Sequence, residues 1–175
     1  MANKLIRHSG RGHPHFITFT CYRRLPLLRS LRAKNVFVQT LDEIRDRYGF
    51  SLVGYAVMRE HARLLICEAV RGTPSTVVQL SKQRVSRRLC RKQRAPAAQL
   101  SLTFARREGA LPRLWQREFY DFNVWSLKKR VEKLHCLRLN PLKKKLVAYP
   151  KDWPWSSFSF YAKKESGPVR IDPLR

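Results

Sequence analysis

The chain has 175 residues, 43% of them hydrophobic, and carries 37 Lys and Arg against 12 Asp and Glu, a formal net charge of +25. That length fits one domain with a buried core, and the hydrophobic share excludes a disordered tail. No apolar run is long enough to span a membrane and the first residues hold no apolar signal core. The expectation is therefore a cytoplasmic protein with no membrane partner, whose charge excess points to nucleic acid.

In chain order, residues 1–14 read as a basic arm. His15–Tyr22 alternates and is rich in aromatic and β-branched residues, which predicts a strand. Residues 33–48 carry Val36, Phe37, Thr40, Leu41, Ile44 and Tyr48 at helical spacing, with Gly49 as the stop. Residues 50–58 and 61–68 are apolar and strand-like, and Arg59-Glu60 between them predicts an antiparallel pair. Thr73-Pro74 opens a helix over 74–94 loaded with Lys82, Arg84, Arg87, Arg88 and Arg91, a candidate DNA-contacting face. Residues 95–112, with Pro96, Gly109 and Pro112, read as a loop. Leu114–Val124 reads as an aromatic strand. Ser126–Leu139 reads as a helix stopped by Asn140-Pro141. Residues 149–175 form an aromatic, proline-punctuated tail expected to pack on the domain at 15–148. This order predicts an α+β fold, a ferredoxin-like antiparallel sheet with helices on one face. An RNA-recognition domain shares that architecture, but its Gly- and Phe-containing strand motif is absent.

The cysteines Cys21, Cys67, Cys90 and Cys136 contain no Cys-x-x-Cys pair, which argues against a zinc knuckle. On the helix from Ser126, a turn of 100° per residue groups Leu127, Val131 and Leu134 as the expected core stripe. Cys136 falls on the other side, with Asn140 four residues on and Lys129 and Lys133 nearby. The second apolar strand carries His61-Ala62-Arg63, one residue away from a His-hydrophobic-His pair that would hold a divalent metal. A guanidinium has no lone pair to offer a metal and stays charged in a protein.

Several blocks in order carry a specific resemblance: Phe16-Ile17-Thr18-Phe19-Thr20, Gly54-Tyr55-Ala56-Val57-Met58, and Glu60-His61-Ala62-Arg63-Leu64-Leu65-Ile66. Trp115-Gln116-Arg117-Glu118-Phe119-Tyr120-Asp121, Leu139-Asn140-Pro141-Leu142-Lys143 and Asp152-Trp153-Pro154-Trp155-Ser156-Ser157-Phe158 continue it. The chain resembles the single-tyrosine insertion-sequence transposases, in particular the REP-associated branch. The resemblance implies Mg²⁺ or Mn²⁺ held by two strand histidines and a polar residue on the last helix. It also implies a tyrosine nucleophile one turn earlier that cuts single-stranded DNA through a 5′-phosphotyrosine, in a homodimer that recognises hairpins.

Carried onto this chain, the first histidine is His61, the second position is Arg63, the polar ligand is Asn140 and the nucleophile position is Cys136. Two of the four depart. A fixed cation at Arg63 would oppose each unit of metal charge by roughly 4 kcal/mol, so metal binding is expected to be weak or absent. Cys136 is shorter than a tyrosine, which leaves a candidate catalytic position without reach. The reading is a DNA-binding protein of the transposase family that prefers single-stranded or hairpin DNA, with a degenerate active site. Arg63, Lys82, Arg84, Arg87, Arg88, Arg91, Lys129 and Lys133 are the candidate DNA-binding residues, and Arg63 suits phosphate by its planar fork. Phe119-Tyr120-Asp121 reads as a structural strand element, although Tyr120 is the alternative phenol. Two alternatives stay open: an active nicking and strand-joining enzyme with an unusual nucleophile, and a general RNA-binding or nucleoid protein.

Overall fold

The computed structural model describes residues 12–90 and 113–173, and in it four strands form one antiparallel sheet in the order β2-β3-β1-β4. The strands are β1 (His15–Cys21), β2 (Leu52–Val57), β3 (His61–Ile66) and β4 (Trp115–Asn123). The helices are α1 (Leu31–Tyr48), α2 (Pro74–Cys90), α3 (Leu127–Lys143) and a short α4 (Phe158–Lys163). This is the expected α+β, ferredoxin-like arrangement. The loop expected at 95–112, with the preceding Arg91, lies outside the described residues, as does most of the basic arm.

Side-chain alternation sorts the sheet into two faces. Ile17, Phe19, Cys21, Tyr55, Val57, Ala62, Leu64 and Ile66 point to one side and join α1 and α2 in the main core. The α1 helix is set at both ends. Ser30 Oγ accepts from the Ala33 N–H at 3.1 Å, and Gly49 closes it at φ +65°, a left-handed conformation that favours glycine. The opposite face carries Phe16, Val53, Ala56 and Leu65, and here α3 lies across the sheet through Leu134, Cys136 and Leu137. So α1 and α2 cover one face, as the sequence predicts, and α3 adds a partial cover to the other, where no helix was expected, because Phe16, Val53, Ala56 and Leu65 make that face apolar as well.

The stripe expected on α3 is not the one the structure buries. Leu127 is 71% and Val131 59% exposed, whereas Leu137, Asn140 and Pro141 are buried. The reason is that α3 has apolar residues on more than one side, and the surface beneath it selects the side. Nor does Pro141 stop the helix. It sits inside α3, which runs on to Lys143, where the Lys144 N–H donates to the Asn140 carbonyl at 3.1 Å. Close approach of α3 to β2 needs Gly54: a Cβ there would lie 3.0 Å from both Leu134 Cδ2 and Leu137 Cδ1.

The C-terminal segment covers the edge of β2. Val57 N–H donates to Trp155 O at 2.9 Å and Ser157 N–H to Tyr55 O at 3.0 Å. Further on, Asp172 accepts from the Leu52 N–H and takes both Nε and Nη2 of the buried Arg45, at 2.9 and 3.2 Å. Trp153 and Trp155 pack edge to face, with Lys34 Nζ 4.4 Å from the Trp155 ring centroid. An otherwise pairable strand edge is thereby occupied.

Candidate functional site

β3 begins at His61, and strand alternation puts His61 and Arg63 on the α3 side of the sheet. His61 is 6% exposed and hydrogen-bonded at both ring nitrogens. Its Nδ1–H donates to Glu60 Oε1 at 3.2 Å, and its Nε2 accepts from Asn140 Nδ2 at 3.1 Å. Burial, and then the Arg63 charge, push the His61 pKa down to about 4. The ring is therefore neutral near pH 7 and serves as the anchor for the C-terminal half of α3.

That anchor brings Cys136, one helical turn before Asn140, above the strand. Arg63 Nη1 donates to Cys136 Sγ at 3.2 Å. The two positions at which the sequence departs from the expected pattern are thus in direct contact. Arg63 Nε is buried and has no hydrogen-bond partner among the described residues. Cys21, on the core face of β1, is a buried thiol pushed up to about 12 by burial.

Beside this contact lies a cavity of about 120 Å³ lined by Thr18, Thr20, Arg24, Glu60, His61, Arg63 and Lys144. Thr18 and Thr20 share the α3-side face of β1 and pair in register with Arg63 and His61. The lining holds three cationic side chains against one carboxylate, and Lys144 Nζ is 3.5 Å from Glu60. Arg24 reaches the cavity from a turn in which Arg23 and Arg24 both have positive φ, 50° and 56°. Two successive non-glycine residues in the left-handed region cost roughly 1–3 kcal/mol each, and strain of this kind clusters at functional sites. Arg24 and Lys144 escaped sequence reasoning. An Arg-Arg pair directly after a strand and the Lys143-Lys144-Lys145 run were the visible signals.

As a divalent-metal site this constellation does not fit. The His61 lone pair is taken by the Asn140 amide, the neighbouring position is a permanent cation, and no group of three His, Cys, Asp or Glu is placed to hold a metal among the described residues.

Other expected contact residues have structural partners. Lys82 Nζ donates to the carbonyls of Gln116 and Arg117 at 2.9 and 3.1 Å, fastening the start of β4. Arg88 binds both Glu43 oxygens at 2.8 and 2.9 Å and also Thr40, and Arg84 lies 4.0 Å from Glu43. Arg87 is exposed. All four belong to α2, which packs on the sheet face opposite the cavity. On α3, Lys129 pairs with Glu132 at 2.8 Å, and Lys133 Nζ lies about 5 Å above the Phe16 and Phe122 rings.

The structure of a REP-associated tyrosine transposase, solved bound to a REP hairpin, matches with a TM-score of 0.71 at 17% identity, over 99% of this chain and 94% of that one. The sequence places the chain in a family: it belongs to the IS200-like transposases, whose family description matches residues 9–133. That match contains His61 and Arg63 and ends three residues before Cys136. A candidate transposase of Deinococcus radiodurans R1 is also similar, at 19% identity and a TM-score of 0.47, over 72% of this chain and 92% of that one. No curated protein matches.

Proposed function

We propose that this IS200-like transposase is a binding protein that has given up metal-dependent strand cleavage and holds single-stranded or hairpin DNA through phosphate contacts. The observation that carries the reading is the 3.2 Å contact between Arg63 Nη1 and Cys136 Sγ. An arginine and a thiol there occupy the positions at which the family resemblance expects a metal ligand and a nucleophilic phenol. A planar guanidinium can meet two phosphate oxygens at once. Arg24, Lys144, Thr18 and Thr20 supply further donors around the same cavity. The hairpin preference is carried over from the REP-associated relative of the same fold, and a homodimeric state from the family resemblance.

The test mixes purified protein with an end-labelled hairpin oligonucleotide, with Mn²⁺ or with EDTA, and resolves the products on denaturing gels. The expected result is binding that EDTA leaves unchanged, that weakens steeply with salt, and that yields no cleavage product. Arg63→Ala should weaken binding and make its salt dependence shallower by about one phosphate contact. Mn²⁺-dependent cleavage with a covalent protein–DNA adduct would overturn the proposal.

A further inference from the structure

On the same sheet face, next to the cavity, β4 carries Tyr120 and Phe122, and Trp125 follows just beyond the strand's end, making three aromatic rings in a row. Tyr120 pairs in register with Thr18, which itself pairs with Arg63. The Tyr120 backbone therefore lies two strand spacings, about 10 Å, from that of Arg63. The Tyr120 and Phe122 rings are parallel to within 8° with centroids 6.5 Å apart, and Trp125 follows at 5.4 Å from Phe122. Tyr120 is 44% and Trp125 64% exposed. The apolar packing of α3 on the sheet runs through Leu134, Cys136 and Leu137, and Tyr120 and Trp125 are left open to solvent. Lys133 Nζ sits 5.0 Å from the Phe122 centroid, and Lys128, Lys129 and Arg130 line the adjoining first turn of α3.

Edge strands in soluble proteins ordinarily turn charged or small side chains to solvent, so exposed rings here call for an occupant. A second copy of this chain would bring the same cationic turn against its own and is disfavoured by like charge. A flat ligand with a strongly anionic backbone fits both the rings and the cations.

We infer that Tyr120, Phe122 and Trp125 form a stacking track for the unpaired bases of a DNA strand whose phosphate is seated in the Arg24–Arg63–Lys144 cavity. This rests on the binding reading above and adds a means of selecting single strands. Every base offers a π face, but only an unpaired base can turn that face to a protein ring. Recognition through the track is consequently sequence-tolerant, and the phenol of Tyr120 contributes as a ring.

The test compares the full-length wild type, Tyr120→Ala, Trp125→Ala and Tyr120→Phe by fluorescence anisotropy. The probes are a short labelled oligothymidine and an abasic strand of the same length. The wild type should bind oligothymidine at least about tenfold more tightly than the abasic strand. Tyr120→Ala and Trp125→Ala should each lose most of that preference while keeping the wild-type salt slope. Tyr120→Phe should retain the preference. Equal affinity of the wild type for both strands overturns the track and leaves phosphate binding intact. An unchanged base preference in the alanine variants, or a change only in oligomeric state, overturns it as well. Binding to neither strand overturns the DNA-binding reading and the track with it.

Discussion

Acidification should loosen α3 from the sheet through one residue, His61. Its pKa in the fold is about 4, held down first by burial and then by Arg63, with Lys144 adding to the effect and Glu60 opposing it. In the unfolded chain the value returns to about 6.5. Between those values the unfolded state binds a proton that the folded state refuses, so stability falls as pH falls through this window. At 1.36 kcal/mol per unit, the loss from about pH 7 to about pH 4.5 is about 2 kcal/mol. That is a large fraction of a typical 5–15 kcal/mol domain stability. His15 acts in the opposite sense. Burial opposes its protonation, but Asp121 at 2.9 Å and Glu68 at 3.5 Å outweigh that and raise its pKa, so its contribution is present at low pH and lost as pH rises. A comparison of wild type with His61→Gln cancels His15, because both proteins contain it. Urea unfolding at the two pH values is the assay. The wild type should lose about 2 kcal/mol more than the variant on acidification. Equal losses in the two proteins would refute the assignment of a buried, neutral His61 as the α3 anchor.

Two further predictions concern how the site is held. Gly54→Ala should destabilise the protein by about 1–3 kcal/mol, read as a lower melting temperature, because the added methyl meets Leu134 and Leu137 at 3.0 Å. Asp172→Ala should cost about 2 kcal/mol in chemical unfolding, because it removes the bidentate partner of the buried Arg45, which keeps Asp42 and Asp46, and an acceptor for Leu52 N–H; Asp172→Glu should recover part of the loss.

Much of this molecule was legible in its residues. Alternation at His15–Tyr22 and in the 50–68 pair, the helical spacing before Gly49 and the strand–helix order determine an α+β sheet, because the burial periods of strands and helices differ. The family was legible in ordered blocks, and the two departures at Arg63 and Cys136 were visible as residue types. The structure alone decided what those departures do to each other. Arg63 and Cys136 are 73 positions apart, and their contact exists because the Asn140–His61 hydrogen bond pins α3 over β3. The structure also decided which side of α3 is buried. Leu127, Val131 and Leu134 form a stripe in isolation, but the apolar surface around Gly54 and Leu65 meets Leu134, Cys136 and Leu137 farther along the helix. Tyr120 looked like a structural strand residue and turned out to face solvent in the same row as Arg63. Arg24 and Lys144 joined the cavity through a strained turn and a helix end. Local pattern specifies a residue's neighbours along one element, but a site is built from elements that meet only when the chain has folded.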